Sequence, residues 1–266
     1  MSVTVKDQLR NTITLSSYPK KIISLVPSQT ELLFDLGLDK EVTGITKFCI
    51  HPQEWFRTKQ RIGGPKTVNI SLVKSLQPDL IIANKEENVK DQIEELQKSF
   101  PVYVSDVDTL SAAIQMIETI GILSNKAAKA KDITEKIKTE FKQLPKLIKN
   151  KRTAYLIWKD PYMSAGGDTF ISNMLAACGF DNVFKTADRY PVFTIDELKH
   201  LQCDLILLSS EPFPFKENHI EELKQQMPDT SVLLADGEMF SWYGSRMMHA
   251  PKYFSKLITK IEGLAS

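Results

Sequence analysis

Cysteine is scarce in this chain of 266 residues: the three cysteines lie far apart and show no CxxC spacing. That scarcity excludes a disulfide framework and a structural zinc site built on cysteine pairs. It favours at least two of the three as small core residues. The four histidines form no HxxxH or HExxH pattern. Helix-borne zinc chemistry therefore has no support, and we predict no protein-bound metal ion.

Long hydrophobic runs and an excess of charge are also missing. No stretch approaches the ~20 apolar residues that cross a bilayer, and 34 basic against 33 acidic residues give a net charge of +1. We therefore expect neither nucleic acid nor an anionic membrane as a partner. The polar first twenty residues show no leader and no lipidation cysteine. They predict a cytoplasmic protein as written, or a periplasmic one whose natural leader lies outside the given sequence.

Nucleotide and nucleophile motifs are absent. The sequence has no GxGxxG, no GxxxxGK[ST] and no GxSxG, and no carboxylate pair is marked for acid–base work. We predict that the protein is not an enzyme. Two glycine pairs, in IGGPK (62–66) and SAGGDTF (164–170), are interpreted as turns. Alternatively, these turns bring the backbone close to a ligand, with Asp168 capping the following helix.

An internal repeat is the most informative feature that is present. ISLVKSLQPDLI (70–81) and IDELKHLQCDLI (195–206) are identical at seven of twelve positions, and each predicts an amphipathic helix, a polar turn and a buried strand. Upstream, LFDLGLD and LAACGFD place Gly37 and Gly179 at predicted helix C-caps. The repeats indicate a duplicated α/β plan.

Short apolar runs alternate with helical segments along the whole chain. These runs suit parallel strands covered on both faces. Pro27, Ser28 and Glu31 predict a helix with a capping box after the first strand. The segments 109–123 and 125–149 are predicted helices, and the second lacks glycine, as a stiff connection would. The predicted strands are 21–26, 79–83, 101–104, 153–158, 204–209 and 231–235.

FSWYGSRM (240–247) crowds three aromatic residues and an arginine among polar residues, which argues against simple core packing. Together with KKIISLVPSQTELLFDLGL (20–38) and RIGGPKTVNISLVKSLQPDLIIANKEEN (61–88), it resembles the helical-backbone metal receptors. These are the substrate-binding proteins of ABC importers for vitamin B12 and iron chelates. The resemblance covers essentially the whole chain and is greatest to the cobalamin-binding branch.

The resemblance implies an α/β fold of two Rossmann-like lobes joined by a single long backbone helix, with a ligand cleft between the lobes. The corresponding boundaries are an N-terminal lobe at 1–123, a bridging helix at 124–149 and a C-terminal lobe at 150–266. It also implies a ligand held without catalysis. No tightly bound cofactor is expected.

The ligand contacts that the resemblance implies are mainly aromatic and glycine positions. Flat rings would pack against the apolar flank of a macrocycle, and the arginine would meet its carbonyl or carboxylate edge. Cys49 with His51, and the MMH run at 247–249, invite a metal-ligand interpretation, but a surface loop explains the first pair as well. The implied ligand-binding residues are Ser28, Phe48, Gly63, Gly64, Pro65, Trp158, Tyr190, Trp242, Tyr243 and Arg246.

The resemblance further implies docking on an ABC permease dimer through one acidic residue per lobe. Asp196 stands at that position in the second half, but Ser71 stands there in the first, which puts the docking in doubt. The leading interpretation is a monomeric, non-catalytic binding protein for a corrinoid or similar metal chelate. The alternatives are a ferric siderophore or haem binding protein, and an intracellular tetrapyrrole-handling enzyme or chaperone.

Overall fold

The computed structural model describes residues 2–263, which divide into two compact units. Unit 1 contains the chain up to Val107, Ser111–Ile137 and Tyr243–Met248. Unit 2 contains Asp108–Leu110, Lys138–Trp242 and the chain from His249 onward. The predicted C-terminal lobe, 150–266, includes residues 243–248, whereas in the structure these residues belong to unit 1.

Unit 1 is built on a five-stranded parallel sheet in the order β5-β4-β3-β8-β9. Strands β3, β8 and β9 are buried along their whole length, as predicted for a sheet covered on both faces. An antiparallel hairpin, β1–β2, precedes the sheet, and a second, β6–β7, follows β5. The strands are β1 (Val3–Lys6), β2 (Thr12–Leu15), β3 (Ile22–Ser24), β4 (Val42–Ile45), β5 (Gln60–Arg61), β6 (Gly63–Gly64), β7 (Thr67–Val68), β8 (Leu80–Asn84) and β9 (Val102–Ser105).

The helix predicted over 125–149 is shorter than expected. Helix α6 ends at Lys142 after 16 residues, about 24 Å at 1.5 Å per residue. Pro145 lacks a backbone N–H and restricts the residue before it, so the helix cannot continue through it. The units change within this helix, after Ile137. The helices to this point are α1 (Pro27–Asp35), α2 (Gln53–Thr58), α3 (Ile70–Leu76), α4 (Lys90–Gln97), α5 (Leu110–Leu123) and α6 (Ala127–Lys142).

Unit 2 has a mixed sheet in the order β13-β11-β10-β14-β15, with β12 also paired to β10. The pairs of β10 with β14 and of β14 with β15 are parallel, as predicted. Strand β12, which is not among the predicted strands, also pairs with β10 in parallel. Strands β11 and β13 add an antiparallel edge that the sequence did not predict, because both are very short. The elements are β10 (Lys151–Trp158), β11 (Tyr162–Ser164), α7 (Phe170–Cys178), β12 (Phe180–Asn182), β13 (Val192–Phe193), α8 (Ile195–His200), β14 (Leu205–Ser209), α9 (Glu217–Gln226), β15 (Ser231–Ala235), α10 (Gly237–Ser241) and α11 (Ala250–Gly263).

The internal repeat forms the same local structure in both units. Each copy is a helix followed by a buried parallel strand, α3–β8 and α8–β14. In unit 1, Asp79 Oδ2 accepts a hydrogen bond from the Lys21 backbone N–H at 2.9 Å. In unit 2, Asp204 Oδ2 accepts one from the Arg152 backbone N–H at 2.8 Å. The repeated aspartate therefore ties each helix–strand turn to the first strand of its sheet.

Of the predicted helix caps, the two glycines are confirmed and the capping box is wrong. Gly37 and Gly179 have the left-handed φ values, +76° and +85°, that a C-terminal cap requires. Val26 is the N-cap of α1 and makes no side-chain cap bond. Ser28 lies inside the helix, and the Glu31 carboxylate accepts hydrogen bonds from the Arg246 guanidinium instead.

The second glycine pair packs against the protein's own backbone. Gly167 N donates to Ala187 O at 2.8 Å, and its Cα faces a neighbouring carbonyl too closely for a Cβ. The predicted cap by Asp168 is wrong, because Thr169 caps α7 and Asp168 Oδ1 accepts from the Arg189 backbone N–H at 2.5 Å. This turn is a structural contact.

Within residues 2–263 none of the helices combines the length and apolarity of a bilayer span.

Candidate ligand-binding surfaces

The carboxyl ends of parallel strands meet at one edge of a sheet, where open α/β proteins bind their ligands. In unit 1, Phe48 follows β4 at this edge and is 54% exposed. Lys47 Nζ lies 5.2 Å from the centroid of the Phe48 ring, and Lys47 N donates to Gly63 O at 2.8 Å. A Cβ on Gly64 would lie 3.3 Å from Phe48 Cε2. The exposed Lys47 and Phe48 thus lie against the Gly63–Gly64 turn, and these four residues with the half-buried Pro65 that follows are called the unit-1 surface.

The corresponding edge of unit 2 also carries an exposed aromatic side chain. Trp158 ends β10, is 39% exposed, and its ring centroid lies 5.8 Å from that of Phe213 in an edge-on contact. Strand pairing links Trp158 to Met163, and Met163 to the exposed Val192. Trp158, Phe213 and Val192 form the unit-2 surface. Phe213 and Val192 are not among the predicted residues, although Phe213 lies four residues after a predicted strand and Phe48 three residues after β4.

Trp242 is buried within unit 2 and is 7% exposed. Its Nε1–H donates to Glu211 Oε1 at 2.9 Å, and the Ser241 hydroxyl donates to the same oxygen at 2.8 Å. Burial raises the pKa of the Glu211 carboxyl, and the nearby Glu238 and Asp236 carboxylates raise this pKa further. The structure therefore places Trp242 in a hydrogen-bonded interior cluster. Its predicted ligand contact stays a prediction.

The raised pKa of Glu211 predicts a pH-dependent stability. The folded protein binds the Glu211 proton more tightly than the unfolded chain, so this group's contribution to the unfolding free energy falls as pH rises above about 4.5. Glu211→Gln removes that contribution. We therefore expect the unfolding free energy of Glu211→Gln, measured by urea titration, to rise relative to that of wild type as the pH increases from 4 to 7. Glu217→Gln, at an exposed site of α9, controls for the loss of one carboxyl group. A pH-independent difference between Glu211→Gln and wild type would contradict the expectation.

Tyr243 and Arg246 lie in unit 1, engaged by its carboxylates. The Tyr243 hydroxyl donates to Glu87 Oε1 at 2.7 Å. Arg246 Nε and an Arg246 terminal nitrogen donate to the two oxygens of Glu31 at 2.9 and 2.6 Å. Ser28 is buried in α1 beside this segment. The predicted ligand contacts of Ser28, Tyr243 and Arg246 thus rest on the resemblance alone, because the described contacts lie inside unit 1.

Tyr190 is half-buried and lies two residues before Val192 of the unit-2 surface. Ser164 and Gly166 hydrogen-bond to the residues on either side of Tyr190, which sets it beside Ala165. Ala165 N donates to Tyr155 O, in the middle of β10 and three residues before its end. Its predicted ligand contact stays a prediction.

The three cysteines are buried and free, which confirms their prediction as core residues. The Cys49 thiol contacts the Thr30 and Thr46 hydroxyls at 3.0 and 3.1 Å, and burial raises its pKa. His51, two residues later, is half-buried. Among residues 2–263, no group of three or more His, Cys, Asp and Glu side chains is arranged to hold a metal ion.

The family of the chain follows from its sequence together with this architecture. The family of periplasmic binding proteins matches residues 22–231, most of both units. The chain belongs to this family. This confirms the resemblance and the α/β two-lobe fold class drawn from the sequence.

Two relatives are similar in sequence to this chain over most of their own length. The uncharacterized ABC transporter substrate-binding lipoprotein YvrC of Bacillus subtilis is 28% identical, over 77% of this chain and 68% of the relative. The vitamin B12-binding protein of Vibrio parahaemolyticus is 26% identical, over 75% of this chain and 74% of the relative. The first relative is described as a lipoprotein and the family as periplasmic, and neither description supports the cytoplasmic interpretation.

Solved structures share the fold at lower identity. The petrobactin-binding protein YclQ of Bacillus subtilis has a TM-score of 0.82 and 19% identity, with 97% of this chain and 99% of that chain covered. The periplasmic haem-binding protein HutB of Vibrio cholerae has a TM-score of 0.75 and 17% identity, with 90% and 98% covered. At these identities the comparison concerns the fold.

Proposed function

We propose that the protein is a non-catalytic substrate-binding component of an ABC importer and binds a corrinoid or a similar metal chelate. The observation that carries the proposal is an exposed aromatic side chain at the carboxyl edge of each sheet, Phe48 and Trp158. Flat rings suit the apolar faces of a macrocycle. A vitamin B12-binding relative supports the same ligand class. The ligand leaves the protein chemically unchanged.

A ferric siderophore or haem is the second candidate, favoured by Lys47 beside Phe48. The Lys47 ammonium is exposed and could meet a carboxylate or another anionic group of such a chelate. This cation would add less to the binding of an uncharged ligand face. Comparison of chelates with different charge therefore separates the two candidates.

The test is a titration of the purified protein with cyanocobalamin, haemin and a ferric siderophore, followed by absorbance and calorimetry. We expect at least one of them to bind with a dissociation constant near or below micromolar, about −8 kcal/mol. Chromatography should recover the ligand intact. Absence of binding for all three, or conversion of a ligand into product, would contradict the proposal.

We propose further that the protein works as a monomer outside the cytoplasm and docks on its permease through Asp196. Asp196 is the second residue of α8 and its side chain is 83% exposed, with Lys199 Nζ 3.0 Å away. Ser71 is the second residue of α3, at the matching place in unit 1. The unit-1 position therefore offers no charge to a basic permease surface.

We expect Asp196→Ala to weaken binding to the purified permease by about fivefold, since exposed ion pairs contribute up to about 1 kcal/mol. Ser71→Asp should strengthen binding by a similar factor. Both effects should shrink in high salt, because ions screen exposed charges. Ser75→Asp, exposed on the same helix, controls for a general charge effect. Equal affinities for all four proteins would show that docking does not use these positions.

A further inference from the structure

Tyr243–Met248 lies in unit 1, although the chain on both sides of it belongs to unit 2. The segment includes a 3₁₀ turn at Ser245–Met248 that packs against α1. Ser245 and Met247 are buried there. A stretch more than 200 positions downstream in the sequence thus forms part of the interior of the N-terminal unit.

The strongest anchor of this segment is the ion pair between Arg246 and Glu31. Both carboxylate oxygens of Glu31 accept from the guanidinium, at 2.9 and 2.6 Å. The two side chains are only 13% and 19% exposed. A two-bond arginine–carboxylate pair fixes geometry as well as charge, and removal of either side chain breaks a largely buried ion pair, which is strongly destabilising.

Two further contacts fix the segment beside this ion pair. The buried Tyr243 hydroxyl donates to Glu87 Oε1 at 2.7 Å, in the turn after β8. Gly244 lies against the carbonyl of Ser28, and a Cβ there would come within 2.6 Å of that oxygen. Only glycine therefore allows the segment to approach α1 this closely.

We propose that residues 243–248 are a structural strap that completes unit 1. Unit 1 reaches full stability only when the strap lies on α1 and on the turn that carries Glu87. Arg246 and Tyr243 are positioning residues of this strap, and their partners are Glu31 and Glu87. This inference does not depend on which ligand the protein binds.

The test is amide hydrogen exchange of the full chain, compared among wild type, Arg246→Met, Glu31→Met and the double variant. In each single variant we expect the amides of α1 and β8 to exchange at least tenfold faster, because the largely buried ion pair is broken. Strands β14 and β15 of unit 2 should keep their wild-type rates. The double variant should regain most of the protection, because two apolar side chains replace the pair.

Arg57→Met is the matched control, since Arg57 is exposed in α2 and bonds only weakly, to Gln53 at 3.2 Å. It should leave every rate unchanged. If Arg246→Met does not fold, Arg246→Lys keeps the charge and loses the two-bond geometry, and we expect an intermediate acceleration confined to unit 1. Wild-type exchange in Arg246→Met, acceleration throughout both units, or a double variant worse than either single variant would overturn the proposal.

Discussion

Replacing Gly167 with alanine is expected to lower the unfolding free energy by about 3 kcal/mol or more. A Cβ at this position would overlap the Lys185 carbonyl oxygen and lie 2.7 Å from the carbonyl carbon. Gly167 N donates to Ala187 O at 2.8 Å, so the two backbones are held together there. No side-chain rotation relieves a clash with backbone, and overpacking that shifts backbone is among the costlier substitutions.

Urea unfolding of the full chain measures this effect. Gly263→Ala is the matched control, because a Cβ there meets no atom within 4 Å and the site lies at the end of α11. Alanine in a helix is favoured over glycine by up to about 1 kcal/mol, so the control should be neutral or slightly stabilising. A Gly167→Ala protein with the midpoint and slope of wild type would mean that the 185–187 backbone moves aside without cost.

The fold was predictable where the same residues adopt the same backbone conformation in both copies of the internal repeat. Gln77 and Gln202, identical in the two copies, both adopt the left-handed φ of 49° that ends the helix. Asp79 and Asp204 then accept from the backbone at the start of the neighbouring strand. A short motif holds such information because the glutamine and the accepting aspartate are both in the repeat, and the donors outside it are backbone N–H groups, which do not depend on the side chain.

Partners chosen by tertiary packing were not predictable from the same kind of motif. IEEL occurs in both α4 and α9, yet its second glutamate has different partners. Glu95 binds Lys74 at 2.6 Å and Lys98 at 2.9 Å, which lowers its pKa to about 2. Glu222 instead binds Lys159 at 2.5 Å. Identical letters therefore gave no indication of which lysine lies nearby.

The FSWYGSRM cluster shows the same limit at the candidate site. From the sequence alone, its polar residues indicate exposure. They do so only because the sequence does not show that Arg246 has a buried partner. Glu31 supplies that partner from 215 positions away, and the same contact takes Glu31 out of the predicted capping box. Phe48 and Trp158 come from the resemblance, and their ligand contacts stay predictions. Trp158 ends a strand that the sequence predicts, whereas Phe48 lies three residues beyond β4, which is not among the predicted strands.

Removal of both exposed aromatic side chains is expected to weaken chelate binding by about 30-fold to 1000-fold, the equivalent of about 2–4 kcal/mol. Phe48→Ala and Trp158→Ala should each cost about 1–2 kcal/mol, since an aromatic contact contributes both buried area and ring geometry. The two residues share no described contact and belong to different units. Their costs should therefore add in the double variant.

Calorimetric titration with cyanocobalamin, haemin and a ferric siderophore measures these losses, with urea unfolding of the same proteins alongside. Ile122→Ala is the matched control, because Ile122 is a comparably exposed apolar residue on α5 rather than at a strand end. Ile122→Ala should leave affinity unchanged, because it removes exposed apolar surface that we do not expect to contact the ligand. Wild-type affinity in both aromatic variants would remove the unit-1 and unit-2 surfaces as ligand contacts. A drop in affinity that follows a drop in unfolding free energy would assign Trp158 and Phe48 to packing, because true contact residues lose affinity while the fold stays intact.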